Sequence, residues 1–262
     1  MQMVEYPVES ILSARQTVSP QIAGDYVYFI SDMSGMMSLY RMRKTGSFPE
    51  RLIPAGLALQ NPHLMAGSLY VVFPNIEKIL VMVDENGNEL YQPSFVSLDG
   101  GVPERIFGDR FLGQQITCIE VDVKNNIAYF KRDDRTIKDK SLQYTMKVNL
   151  ETMDETTLGV SEHGFFAEPN ADHSRVLLSE AYISGDIVIF LWEESKDGLK
   201  TILGTPLKER KDDIKTRVYD VNPVHWVNNV VLVHTTEFDD LGGLALMDLE
   251  APKELTLIDV QG

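Results

Sequence analysis

Short runs of Val, Ile, Tyr, Phe and Leu recur along this chain, separated by turns rich in Gly, Asp, Asn and Pro. That pattern predicts strands almost throughout. The runs also repeat. Five segments open with a β-rich stretch at Tyr26–Ile30, Leu69–Phe73, Ile127–Phe130, Val176–Leu178 and Val230–Val233. Taken at Val27, Leu69, Ile127, Val176 and Val230, these starts lie 42, 58, 49 and 54 residues apart. A second strand follows each, at Ser38–Met42, Ser94–Leu98, Tyr144–Val148, Ile187–Trp192 and Leu244–Leu249. A polar turn and a short closing strand come next. Pro49-Glu50-Arg51-Leu52 and Pro103-Glu104-Arg105-Ile106 are near copies there, and 155–158, 200–203 and 253–257 fit more loosely. A fourth strand is expected ahead of the first in each unit. Pro20, Pro62, Pro169 and Pro223 lie in four of those lead-ins, where a missing N–H need break no ladder bond.

Four strands per unit of roughly 50 residues is the arithmetic of a β-propeller blade. One such sheet cannot cover both its faces alone, so stacked neighbours cover each other. The expected fold is all-β: a β-propeller of about five four-stranded blades, either complete or part of a larger seven-bladed one. The expected organisation is a single domain over 1–262, with an N-terminal extension at 1–18 and blades near 19–58, 59–112, 113–160, 161–212 and 213–262. In the extension, Val8, Ile11, Leu12 and Arg15 fall at helical spacing. The mixed-charge stretch within 204–217, Lys208 to Asp213, reads as a solvated loop.

Composition narrows the function. With 24 basic and 39 acidic residues the net charge is −15, which argues against nucleic acid and against an anionic membrane surface as partners. Cys118 is the single cysteine, so no internal disulfide forms and a cytoplasmic location is expected. The first residues do not read as a signal segment, and no apolar stretch is long enough for a membrane helix.

The familiar catalytic motifs are absent. There is no G-x-S-x-G elbow; Gly159 to Gly164 comes nearest, with one residue too many, and reads as a turn. P-loop, H-E-x-x-H and G-x-G-x-x-G motifs do not occur either. The histidines His63, His163, His173, His225 and His234 lack close spacing, so no metal site and no cofactor is expected, although a propeller channel could gather distant ones. Asp84 to Glu89 fails the calcium-loop pattern at its sixth and twelfth positions, and Asn86-Gly87 reads as a hairpin turn. Met33, Met36 and Met37 either form a contact surface or fill space between blades. Trp192 and Trp226 read as packing residues. No catalytic, metal or cofactor-binding residue is singled out.

Ser10 to Arg15, the Ser19-Pro20-Gln21-Ile22 box, the Gly24-Asp25 turn and the Leu39-Tyr40 strand resemble the start of prolyl oligopeptidase family (S9) peptidases, in their acylaminoacyl peptidase and dipeptidyl aminopeptidase-like branches. Ser97 to Pro103, with Gly100-Gly101, is similar to that family's blade-closing turn. TolB-like propellers share these turns. The resemblance implies a non-catalytic propeller that filters peptides or small acyl substrates on their way to an α/β-hydrolase domain. No triad position exists in this chain onto which catalytic residues carry over, so the chain alone is not expected to be an enzyme. It is expected to be either a fragment of a larger serine peptidase or a free-standing propeller that binds a protein or small ligand. A channel-metal enzyme is the third reading. The oligomeric state is left open, with self-association one option.

Overall fold

The structure is a computed structural model, and it describes residues 15–60, 67–84, 87–134, 136, 141–196, 198–211 and 219–258. The helical spacing at 1–14 and His63 therefore lie outside the described residues. Everything regular among the described residues is strand, apart from short 3-10 turns at Pro74–Ile76 and Leu207–Glu209.

Strands β1 (Thr17–Ala23), β2 (Tyr26–Ser31), β3 (Ser38–Arg43) and β4 (Glu50–Arg51) pair in chain order as one antiparallel sheet. Strands β5 (Ala58–Leu59), β6 (Tyr70–Phe73), β7 (Lys78–Asp84), β8 (Gln92–Ser97) and β9 (Glu104–Arg105) form the second. The third holds β10 (Gln115–Asp122), β11 (Ile127–Asp134), β12 (Leu142–Asn149) and β13 (Glu155–Ser161). The fourth holds β14 (Phe166–Pro169), β15 (Arg175–Ile183), β16 (Asp186–Glu193) and β17 (Leu199–Leu203). The fifth holds β18 (Val221–Val227), β19 (Val230–Thr235), β20 (Gly243–Asp248) and β21 (Leu255–Leu257). Five consecutive antiparallel meanders of this kind are the blades of a β-propeller.

The second sheet differs from the expectation. Leu69–Phe73 does not take the second place in its blade; β7 does, and β5 and β6 both pair with β7 along the same edge. The second-place strands then open at Tyr26, Lys78, Ile127, Arg175 and Val230, which are 52, 49, 48 and 55 residues apart. The repeat is more even than the apolar runs suggested. The β7–β8 connection is also longer than a two-residue turn, because Val83 pairs with Gln92. Pro20, Pro169 and Pro223 sit on the edge strands β1, β14 and β18, and Pro62 lies outside the described residues. Pro20 and Pro223 lie at register shifts, where the ladder is already interrupted.

The chain divides into two compact units, Met1–Cys118 with Asp122–Asn126, and Ile119–Val121 with Ile127–Gly262. In the first unit, residues from β2, β3, β6, β7 and β8 bury a shared core that includes Tyr28, Ile30, Leu39, Tyr70, Val81 and Val96. Polar groups stitch it together. The Tyr70 hydroxyl lies 2.5 Å from the Ser19 carbonyl and 2.8 Å from that of Tyr28. Gln21 acts as a strand partner for β6: its amide donates to the Tyr70 carbonyl at 2.8 Å and accepts from the Val72 N–H at 3.0 Å. Arg41 donates to Glu50, to Asp99 and to the Leu98 carbonyl, and lies over the Tyr26 ring. The Gly100-Gly101 turn packs on the preceding blade, where the Gly101 N–H donates to the Leu52 carbonyl at 2.8 Å.

In the second unit the fourth sheet is buried on both faces. Val176, Leu178, Val188, Phe190 and Trp192 pack with Tyr129, Leu158 and Phe165. The intervening residues Leu177, Ile187, Ile189 and Leu191 pack with Val221, Trp226, Val231, Val233, Ala245 and Met247. Alternation along a strand thus serves two cores, which is why β16 reads as an uninterrupted apolar run.

Candidate functional site: a buried polar cluster at one end of the second unit

In β15, Glu180 follows Val176 and Leu178 on the same face, so a carboxylate stands where the alternation calls for an apolar residue. It is buried, and it is satisfied. Ser161, at the end of β13, donates its hydroxyl to Glu180 Oε1, and Tyr182 donates its hydroxyl to Oε2 at 2.7 Å. The His163 main-chain N–H donates to Ser161 Oγ at 2.9 Å, while its ring meets the Tyr182 ring edge to face at 4.7 Å. Burial, and next the hydrogen bond to Glu180, raise the Tyr182 hydroxyl above its ordinary pKa.

The chain beyond β17 lies against this row. The Leu207 N–H donates to the Tyr182 hydroxyl at 3.1 Å. Arg210 makes a two-pronged pair with Asp186, both N–O distances being 2.8 Å, and its guanidinium lies 4.9 Å from the centre of the Tyr182 ring. Both charged side chains are almost fully buried. In the described part of the mixed-charge stretch Lys208, Glu209 and Lys211 are exposed, as expected of a solvated loop, while Arg210 is anchored. Asp220 continues the cluster by accepting from the Gly185 N–H at 2.6 Å and from Ser184 Oγ at 3.2 Å.

Chemically the cluster is a hydrogen-bonded network of buried polar side chains. Ser161 is buried, and its hydroxyl proton points to a carboxylate instead of a histidine ring. The nucleophile–base–orienter chain of a hydrolase is not assembled there. Of the stretch expected to be a turn, Gly159 to Ser161 are instead the end of β13, and the chain bends at Glu162 and His163. The other described histidines lie apart from this cluster. His173 Nδ1 lies 2.8 Å from the Tyr129 hydroxyl, His234 packs on Gly242, and His225 is exposed on β18. Among the described residues no group of three or more His, Cys, Asp or Glu is gathered to hold a metal ion.

A second acidic feature lies on the first strands of two sheets of this unit. Burial, and next the charge of Glu120, push the Glu168 carboxyl up to about 7. Its main-chain carbonyl accepts from Trp226 Nε1 at 2.8 Å. Trp192 and Trp226 are packing residues, as expected. The methionines divide: Met33 and Met36 are exposed, and Met37 packs on the first core. Sequence reasoning passed over Glu180, Tyr182, Asp186 and Arg210. The one available signal was Glu180, a charge on the face of β15 that Val176 and Leu178 make apolar.

The fold and the cluster define a β-propeller module without a hydrolytic centre among the described residues. Known structures agree on the fold. The chain is similar to a puromycin hydrolase, with TM-score 0.63, 15% identity, and 95% of this chain covering 40% of that one. It is similar to a prolyl endopeptidase, with TM-score 0.62, 10% identity, and 93% covering 36%. It is also similar to a TolB from Agrobacterium tumefaciens, with TM-score 0.51, 13% identity, and 93% covering 80%. At such identities the likeness is one of fold, and in the peptidases it is to their propeller domains. The chain spans well under half the length of these peptidases. No protein-family model matches it, and no curated protein sequence matches it. No helix among the described residues is long and apolar enough to cross a membrane.

Proposed function

We propose that this chain is the non-catalytic propeller of an S9-like serine peptidase or hydrolase, and that it gates the access of peptides or small acyl substrates to a hydrolase domain outside these 262 residues. The observation that carries this reading is the asymmetry of the match. More than nine-tenths of this chain superposes on 36–40% of a prolyl endopeptidase and of a puromycin hydrolase. The inter-domain dynamics of that prolyl endopeptidase bear on its catalysis and specificity. A propeller beside a reaction centre can do this by size and by charge. The net charge of −15 would disfavour acidic substrates at long range. A cytoplasmic setting belongs to the same proposal.

The second reading is a free-standing binding propeller, favoured by the 80% coverage of the TolB chain. One experiment separates the two. The native polypeptide is isolated from its source with an antibody to this chain and treated with a fluorophosphonate, which labels activated serines. A product larger than 29.6 kDa that takes the label supports the gating module. A product of 29.6 kDa that stays unlabelled overturns it.

A further inference from the structure

The segment from Gly204 to Lys211 leaves β17 through Gly204, whose φ is +80° and whose position leaves no room for a side chain beside the Ile187 carbonyl. It then returns Arg210 into the fold. A carboxylate, an aromatic face and a main-chain carbonyl are among the groups that receive Arg210. The Asp186 carboxylate takes both terminal nitrogens at 2.8 Å. The face of Tyr182 lies 4.9 Å from the guanidinium carbon. The Thr205 carbonyl takes Nε at 2.8 Å. A planar fork on a carboxylate, with an aromatic face above it, is how proteins select arginine over lysine. The carboxylate opens β16 and the ring lies near the end of β15, two paired strands whose central residues are buried on both faces. The Thr205 carbonyl, by contrast, travels with the segment.

We propose that Asp186 and Tyr182 form a receptor site for an arginine side chain, that Arg210 is its internal occupant, and that segment 205–211 is a displaceable strap whose exchange admits an arginine from a peptide. The geometry supports displacement. Leu207, Lys208 and Glu209 are exposed, and the Leu207 N–H is tied to the Tyr182 hydroxyl by one 3.1 Å hydrogen bond. A tethered occupant acts at an effective concentration of order millimolar for a short flexible tether. A free arginine ligand therefore competes in the wild-type chain only at millimolar levels. Removing Arg210 removes that competition.

The probe is N-acetyl-arginine methylamide, titrated by calorimetry into the wild-type chain, Arg210→Ala, and the double variant Arg210→Ala/Asp186→Asn. Arg210→Ala is expected to bind the probe at least about tenfold more tightly than wild type, and the double variant to lose that gain. The matching lysine probe is expected to bind Arg210→Ala more weakly than the arginine probe. In the wild type, millimolar arginine probe is expected to speed hydrogen exchange of the Leu207 amide. Equal binding by Arg210→Ala and wild type, or by the single and double variants, overturns the site. An unchanged Leu207 amide at saturating probe overturns the strap. Should Arg210→Ala not fold, Arg210→Lys replaces it, since lysine keeps the charge and cannot fill the fork.

Discussion

Gly100 shows how one residue couples a turn to its neighbour. Its φ is +89°, and a Cβ there would stand 2.6 Å from the Leu52 carbonyl oxygen. Gly100→Ala is therefore expected to destabilise the fold by more than about 1 kcal/mol, read as a lower urea midpoint at unchanged slope. The first glycine of the pair that helped carry the family resemblance has this physical reason. Glu168 predicts a pH effect. Its carboxyl ionises near pH 7 when folded, against an ordinary value of 4.5. Between those values the folded chain binds more protons than the unfolded one, so stability falls as pH rises from 4.5 to about 7. Solvent reaches part of the group, so the loss is about 1 kcal/mol rather than the full linkage value. Glu168→Gln is expected to flatten that decline in denaturation curves at pH 5 and at about pH 8.

At the scale of elements, the distinctive property is a strand with two cores. Ile189 and Phe190 are neighbours in β16 and pack into different clusters. Ile189→Ala and Phe190→Ala are each expected to cost about 2–5 kcal/mol. A strand of a one-sided sheet would tolerate one of the two, so paired denaturation curves check the blade directly. The repeat and the strand order within blades were legible in the sequence, because turn residues and apolar runs alternate at blade length. The second blade was misread for a definite reason. Both Leu69–Phe73 and Ile79–Val83 are apolar runs, and periodicity cannot say which is central and which lies at an edge. The charged connection after β17 is exposed at Lys208, Glu209 and Lys211, as its composition suggests, but composition does not reveal that Arg210 has a buried partner 24 residues upstream.

For the whole molecule, charge gives the clearest expectation. A chain at −15 should pass through immobilised duplex DNA at low salt without retention; retention would require a basic face that the charge balance argues against. The sequence by itself determined the fold class, the five blade-length units within these residues and the absence of familiar catalytic motifs, since these depend on local alternation, turn chemistry and the presence of residue types. Tertiary structure alone decided which strand takes the second place in the second blade. It also brought Ser161, Glu180, Tyr182, Asp186 and Arg210 into one cluster. Those residues come from different strands and a connection, and the spacing between them follows loop lengths rather than any period. A hydrogen-bonded cluster is specified by where sheets stack, and stacking is set by buried area summed over many side chains. No short window of sequence contains that sum.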